Sequence, residues 1–253
     1  MTLWLALILG LLQGLTEFLP VSSSGHLFLL WKVFNLQTEK FVTYAVCVHL
    51  ATLLAVLTFL HKEILLIIKQ KDIRLVFVLF VATVPAALVG ILLKEHLENL
   101  PPYAIGFSFF LSGLFCLGCK EHGEGKYSSV TLFKALFVGA FQALAVLPGL
   151  SRSGSTLFAS LKSGLLRKDA VIFSFLLSIP VIIGATLFDA VKIAKTAEFE
   201  LAPLLIGMAA SYISALFALK LLVRFLLKGR LLLFAFYLFF LSAFTLLYFS
   251  LSD

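Results

Sequence analysis

Cysteine is scarce in this sequence, and its three residues show no paired spacing. Cys47, Cys116 and Cys119 lie in or beside apolar segments, so the odd count argues against a disulfide framework and favours packing between membrane helices. The N-terminal residues also lack the basic region that opens a secretory signal peptide, and we therefore expect no cleavable signal.

Polar residues are likewise a minority, because 61% of the 253 residues are hydrophobic and the mean hydropathy is +1.09. Soluble domains are about half apolar, so this composition excludes a soluble globular domain and predicts a polytopic membrane protein. The net charge of +7 would indicate a nucleic-acid partner for a soluble protein. In a membrane protein, basic residues gather in cytoplasmic loops and face anionic lipid, so we expect membrane lipid and no nucleic acid as a partner.

Apolar segments follow one another along the chain, and most approach the roughly 20 residues that a spanning helix needs. They lie at about 3–31, 41–60, 73–93, 103–119, 130–161, 170–189, 202–223 and 231–250. The first and fifth are longer, and serine, glycine, proline and charge interrupt them. We expect these two to form re-entrant helical hairpins and the other six to span the membrane.

The two halves of the sequence repeat with an offset of 129 residues. The offset superimposes Gln13 on Gln142, Leu15 on Leu144, Ser22 on Ser151, Ser24 on Ser153 and Gly25 on Gly154. Each half, about 1–122 and 130–253, is predicted to hold one hairpin and three transmembrane helices within a single membrane domain. Because three crossings reverse the direction of the chain, we predict an all-α inverted repeat with a site near the bilayer midplane.

The basic residues of the loops predict the orientation in the membrane. The loops at 61–72, 120–129, 162–169 and 224–230 hold eleven lysines and arginines. The opposite side holds five lysines, which are Lys32, Lys40, Lys94, Lys192 and Lys195. Basic residues are enriched in cytoplasmic loops, so the N-terminus, the first hairpin and the C-terminus are predicted to face the periplasm or the exterior.

Polar motifs occupy the centres of both predicted hairpins, QGLTEFLPVSSSGH at 13–26 and QALAVLPGLSRSGS at 142–155. An ionisable residue at bilayer depth is costly and therefore indicates function. Arg152 offers a planar fork of donors that suits phosphate oxygens. Hydroxyls and backbone N–H groups of both turns are predicted to complete the anion site, namely those of Ser22, Ser24, Gly25, Ser151, Ser153 and Gly154.

The first motif adds reactive groups to this anion site. His26 can act as a nucleophile or as a general acid and base near neutral pH. Glu17 can bind a divalent cation or orient a base. Together these groups predict hydrolysis of a phosphoryl ester or a diphosphate within the membrane. A structural ion pair between Glu17 and Arg152 is the simpler alternative, but it does not explain two matched Ser/Gly turns.

These motifs resemble those of the undecaprenyl-diphosphatase family, the bacitracin-resistance phosphatases of bacterial envelopes, and the resemblance extends over the whole chain. It implies hydrolysis of undecaprenyl diphosphate to undecaprenyl phosphate and inorganic phosphate in the bacterial plasma (inner) membrane, which recycles the lipid carrier for peptidoglycan synthesis. It also implies a divalent cation, Mg²⁺ or Ca²⁺. The sequence leaves open whether two copies form a homodimer.

The resemblance assigns roles to individual residues. The family's (E/Q)xxxE motif falls on Gln13 and Glu17, the implied metal ligands, and the glutamine leaves Glu17 as the only carboxylate of that motif. The PVSSxGH and PGxSRSG motifs place Ser23, His26 and Arg152 at the reaction centre. We expect Ser23 to be the nucleophile or a phosphate ligand with His26 as its acid–base partner, and His26 or water as the alternative nucleophile.

A transporter is the rival hypothesis, because inverted repeats with broken helices also build the substrate sites of secondary transporters. A polyprenyl-phosphate flippase would need Arg152 and the backbone amides, but not the acid–base set of Glu17, Ser23 and His26. That set favours the enzyme. His49, inside the second apolar segment, is expected to be a packing residue or to support the site without contacting the substrate.

Overall fold

The computed structural model describes residues 1–33, 38–93, 96, 100–120, 123–193 and 200–251. Its helices are α1 (Leu3–Phe18), α2 (Ser23–Val33), α3 (Thr38–Phe59), α4 (His61–Gln70), α5 (Ile73–Leu92), α6 (Tyr103–Gly118), α7 (Leu132–Leu144), α8 (Arg152–Lys162), α9 (Arg167–Ile193), α10 (Leu201–Leu227) and α11 (Leu232–Ser250). A 3₁₀ turn (Tyr127–Ser129) precedes α7, and the described ranges contain no strand beyond an isolated bridge. The prediction of an all-α protein is confirmed.

Two helical hairpins form where the polar motifs interrupt the apolar segments. The first consists of α1 and α2, and Ser22 makes the reversal between them with a left-handed backbone, φ 68°. The second consists of α7 and α8, with Gly149 at φ 87° in its turn. Ser151 ends that turn as the N-cap of α8, because its hydroxyl accepts a hydrogen bond from the Gly154 N–H at 3.1 Å.

Several helices are long and apolar enough to cross a bilayer, which confirms a polytopic membrane protein. Four of them, α5, α9, α10 and α11, qualify singly among the described residues, and α3 with α4 forms a fifth candidate that is bent by 67°. The predicted span at 103–119 forms α6, a helix of 16 residues. At 1.5 Å per residue α6 is roughly 24 Å long, shorter than the roughly 30 Å hydrocarbon core.

The predicted cytoplasmic loop at 61–72 is mostly helical, which corrects the sequence interpretation. Its helix α4 carries exposed Leu65, Leu66 and Ile68 and none of its residues is buried. Lys71 ends α4 in the left-handed conformation, φ 49°. The next helix starts at once, because the Asp72 side chain accepts a hydrogen bond from the Leu75 N–H at 2.9 Å.

The helices repeat with the offset seen in the sequence. The starts of four helix pairs are 129 residues apart, at Leu3 and Leu132, Ser23 and Arg152, Thr38 and Arg167, and Tyr103 and Leu232. The packing repeats as well. The contact of α1 with α10 in one pair corresponds to the contact of α7 with α5 in the other. In addition, α3 and α6 each contact their own repeat equivalent, α9 and α11 respectively. This regularity agrees with two structural halves, and their opposite orientation in the membrane stays a prediction.

Glycines bring the paired helices into close contact at equivalent positions. A Cβ atom on Gly10 would overlap the backbone of Gly207, which brings α1 and α10 together. A Cβ atom on Gly139, the residue 129 positions later, would lie 2.6 Å from the Ala82 carbonyl oxygen in α5. Membrane helices commonly use small residues in this way to approach each other.

The predicted orientation in the membrane cannot be checked at four of the five lysines assigned to the outer side. Lys94 and Lys195 lie outside the described residues, and so do the side chains of Lys40 and Lys192. The assignment of the termini to the outer side therefore stays a prediction.

Candidate active site

The tips of the two hairpins meet inside the helix bundle. The Arg152 guanidinium at the start of α8 forms an ion pair with the Glu17 carboxylate near the end of α1. The Ser153 hydroxyl donates a hydrogen bond to the Leu19 carbonyl at 2.9 Å, which joins the two turns directly. A Cβ atom on Gly25 would lie 3.0 Å from the backbone of the opposite turn, so this position requires glycine for the close approach.

A cavity of about 420 Å³ opens beside these tips. Its polar lining residues are Glu17, Ser22, Ser23, Ser24, His49, Gln142, Ser151, Arg152 and Thr186. Its apolar wall comes from α3, α5, α9 and the turn before α8, and includes Val46, Ala86, Val146, Val181 and Ile182. The volume lies within the usual range of ligand pockets, roughly 300–1,000 Å³. This lining suits a ligand with an anionic head and an apolar tail.

Glu17 is the centre of the polar wall, although its side chain is only 5% exposed. Arg152 binds its Oε1, while the Gln13 amide donates to Oε2 at 2.8 Å and the Ser23 hydroxyl donates to Oε2 at 2.7 Å. A buried carboxylate is stable only with such partners. A guanidinium carries five N–H donors, so the pair with Glu17 leaves others of Arg152 for a bound anion.

Helix N-termini add positive potential to the same place. Both α2 and α8 begin at the hairpin tips, with Ser23 and Arg152 as their first residues. The N-terminus of a helix carries unpaired N–H groups and about half a positive charge, which favours anions. The cavity therefore combines a guanidinium, two helix ends and several hydroxyls around one carboxylate.

The predicted phosphate-binding residues divide into two groups. Ser22, Ser24 and Ser151 line the cavity, together with Ser23 and Arg152. Gly25, Ser153 and Gly154 do not line it, because they form the contact between the tips or cap α8.

His26 does not line the cavity, contrary to its expected place beside Ser23. Its Nε2 lies 2.6 Å from the Tyr237 hydroxyl in α11, and its Nδ1 lies 2.7 Å from the Ser22 carbonyl oxygen. The ring is stacked on Tyr237 and meets Phe109 edge to face. Ser23 and His26 are one helical turn apart and share a face of α2, so the contacts with Tyr237, Phe109 and the Ser22 carbonyl, and not the helical spacing, hold the His26 ring toward α11.

Two other side chains, which the sequence analysis did not expect to contact the substrate, line the cavity. The His49 side chain is 32% exposed, and its Nε2 lies 3.6 Å from Glu17 Oε2. Gln142 donates its amide to the Ala82 carbonyl at 3.3 Å. Gln142 could have been found as the repeat equivalent of Gln13, and His49 as an ionisable residue inside an apolar segment.

The donor set for the predicted divalent cation is small. No three His, Cys, Asp or Glu side chains cluster within the described ranges, so they do not form a dedicated metal cage. Glu17 is available as a carboxylate, and the buried Gln13 amide oxygen accepts no hydrogen bond from the described residues. Mg²⁺ usually binds through one or two carboxylates plus substrate phosphates, so these groups fit a cation that arrives with a diphosphate.

Comparison with known proteins gives a consistent result over almost the whole chain. Residues 6–244 match the family described as "Bacitracin resistance protein BacA". An undecaprenyl-diphosphatase of Carboxydothermus hydrogenoformans is 42% identical over 240 residues, covering 92% of each chain. One of Methanococcus vannielii is 39% identical over 252 residues, 96% of this chain and 98% of its own. Undecaprenyl-diphosphatase 3 of Bacillus cereus is 37% identical over 241 residues, 92% of this chain and 93% of its own.

Proposed function

The chain belongs to the bacitracin resistance protein BacA family, and we propose on this basis that it is a membrane undecaprenyl-diphosphatase. It hydrolyses undecaprenyl diphosphate to undecaprenyl phosphate and inorganic phosphate, which recycles the lipid carrier for cell-wall synthesis. The observation that carries the proposal is the two-sided cavity at the hairpin tips, with a polar, hydroxyl-rich wall that contains Arg152 and an apolar wall.

The diphosphate head binds at the polar wall in this proposal. Arg152 and the N-terminus of α2 neutralise the phosphate oxygens, and Ser22, Ser24 and Ser151 donate hydrogen bonds to them. The first isoprene units lie along the apolar wall formed by α3 and α9, where the cavity offers aliphatic side chains. The rest of the tail extends between the helices into lipid.

Ser23 is the nucleophile of the proposed reaction, because its hydroxyl already donates to the Glu17 carboxylate at 2.7 Å in the cavity. Its Oγ bonds to the terminal phosphorus, its proton passes to Glu17, and the bridging P–O bond breaks. The electron pair of that bond leaves on undecaprenyl phosphate. Water then attacks the phosphoserine, Ser23 regains its proton from Glu17, and inorganic phosphate departs with one water proton while the other is released.

We propose that Glu17 and Gln13 bind the divalent cation. Their carboxylate and amide oxygens would hold a Mg²⁺ or Ca²⁺ ion that enters with the diphosphate, and the ion would neutralise phosphate charge. In this arrangement Gln13 also keeps Glu17 in place through its amide hydrogen bond of 2.8 Å.

The family and the loop charges support a proposal for the place of the protein in the cell. We assign it to the bacterial inner membrane, with the N-terminus, the C-terminus and the first hairpin on the periplasmic or external side. The substrate then reaches the cavity laterally from the bilayer. A homodimer stays a prediction.

The test is phosphate release from undecaprenyl diphosphate by the purified protein in detergent, with and without EDTA. Ser23→Ala, Glu17→Gln and Arg152→Lys serve as site variants, and the exposed Arg224→Lys is the matched control. We expect metal-dependent release by the wild type and the control, and a loss of at least a hundredfold in folded site variants. A folded wild type that binds the lipid without releasing phosphate would overturn the enzyme and support the flippase.

A further inference from the structure

Histidines occur twice near the hairpin tips, and the structure gives them different surroundings. His26 belongs to the sequence motif, but both of its ring nitrogens have hydrogen-bond partners, the Ser22 carbonyl and the Tyr237 hydroxyl. It is 7% exposed and lies outside the cavity wall. This is the environment of a histidine that fixes α2 to α11.

His49 is fixed at one ring nitrogen and open at the other. Its Nδ1 lies 2.7 Å from the Ala45 carbonyl oxygen one turn earlier in α3. A carbonyl oxygen can only accept, so this bond places a hydrogen on Nδ1 and sets the orientation of the ring. Nε2 can then donate to a phosphate oxygen when the ring carries a second hydrogen, as imidazolium. The Nε2 edge then faces the cavity and stands 3.6 Å from Glu17 Oε2, beyond the usual distance of a hydrogen bond.

The exposed fractions of the side chains around Glu17 also indicate that His49 is accessible from the cavity. The His49 side chain is 32% exposed, compared with 16% for Arg152 and 5% for Glu17. Arg152 and His49 lie at different oxygens of one carboxylate, Oε1 and Oε2 respectively. Arg152 and His49 therefore approach the same carboxylate from the same cavity, and a phosphate held by Arg152 there would lie near the His49 ring.

We propose that His49 is a catalytic residue that contacts the bound diphosphate through its Nε2 edge, while His26 is a positioning residue that holds the first hairpin. The proposal rests on the proposed function for the identity of the ligand. Its geometric basis is independent: a fixed ring, an open nitrogen and a cavity wall shared with Ser23, Glu17 and Arg152.

The contact can be tested without turnover by histidine modification. The purified wild type is treated with diethyl pyrocarbonate, with and without a prenyl methylenediphosphonate whose P–CH₂–P bridge resists hydrolysis, and the modified histidines are mapped by mass spectrometry. His61 is the matched control, because it is exposed and its Nδ1 is also bonded to a carbonyl, that of Thr58 at 2.8 Å. We expect the analogue to protect His49 at least tenfold and to leave His61 unchanged. Equal modification of His49 with and without bound analogue would overturn the proposal.

Kinetics provide the second readout. His49→Ala should lower kcat/KM on the order of a hundredfold, and His49→Gln, which keeps an N–H donor, should recover part of that loss. His61→Ala should match the wild type. If the wild type releases phosphate and folded His49→Ala releases it equally fast, the proposed role of His49 is wrong and the proposed function still stands. If the wild type releases none, the proposed function fails, and the protection experiment still decides whether His49 contacts the diphosphate analogue.

Discussion

Replacing Arg152 by methionine tests how the protein stabilises a carboxylate inside the membrane. The change removes the guanidinium bonded to Glu17 Oε1. The Glu17 side chain, which is 5% exposed, then keeps a buried negative charge without its cationic partner Arg152. Breaking a buried ion pair from one side costs about 3–5 kcal/mol. We therefore expect the equilibrium constant for unfolding to rise on the order of a hundredfold or more.

A double variant separates this stability effect from the chemistry. In Glu17→Gln with Arg152→Met the buried charge is gone, and a glutamine can still accept the hydrogen bond from Ser23 that the carboxylate accepts at 2.7 Å. Unfolding in mixed detergent micelles should show that the double variant recovers most of the lost free energy, while phosphate release stays lost. Arg224→Met, at an exposed position, controls for the loss of an arginine. A single variant as stable as the wild type, or a double variant no more stable than the single one, would refute the reasoning.

Two further predictions concern the cation and the helix contacts. Gln13→Glu adds a second carboxylate beside Glu17, so phosphate release should reach half its maximum at a lower Mg²⁺ concentration than in the wild type; an unchanged Mg²⁺ requirement would argue against a cation at these residues. Gly139→Ala places a Cβ atom 2.6 Å from the Ala82 carbonyl and should lower the midpoint of thermal unfolding, whereas Gly184→Ala meets nothing within 4 Å and should leave it unchanged or raise it. Equal midpoints for the two variants would contradict the close packing of α5 and α7.

The hairpins could be predicted because their signals are local in the sequence, and the contact between them because the two motifs repeat and carry opposite charges. Serine, glycine, proline and charge interrupt both long apolar segments, and the same offset of 129 residues relates the two interruptions. A charge such as Glu17 in an apolar segment needs a partner, and Arg152 in the second motif was the obvious one. The structure forms this pair.

The directions of the side chains could not be predicted from the same pattern. The helices around His26 and His49 are apolar on most faces, so composition does not show which side faces the cavity. Packing decides it: α2 turns His26 toward Tyr237 in α11, while α3 packs on α9 and α10 and leaves His49 at the cavity. The sequence motif therefore drew attention to one histidine and away from the other.

The lengths of two helical elements also depended on more than hydropathy. The bend of 67° between α3 and α4 occurs at Leu60, where neither proline nor glycine marks a break. The amphipathic α4 follows the bend with exposed leucines beside Lys62 and Lys69, which is typical of a helix at a membrane surface. The start of α6 is marked by Pro101 and Pro102, and its end at Gly118 makes it 16 residues long, one residue shorter than the apolar segment of the sequence.

The most direct measurement uses undecaprenyl diphosphate that carries ³²P in its terminal phosphate. The wild type and Ser23→Ala are mixed with it in detergent, quenched in acid within a single turnover, and analysed for free phosphate and for label on the protein. The account predicts free phosphate from the wild type, transient label on the peptide that contains Ser23, and neither product from folded Ser23→Ala. Phosphate release without label at any time point, together with a Ser23→Ala variant as fast as the wild type, would contradict a serine nucleophile in this cavity.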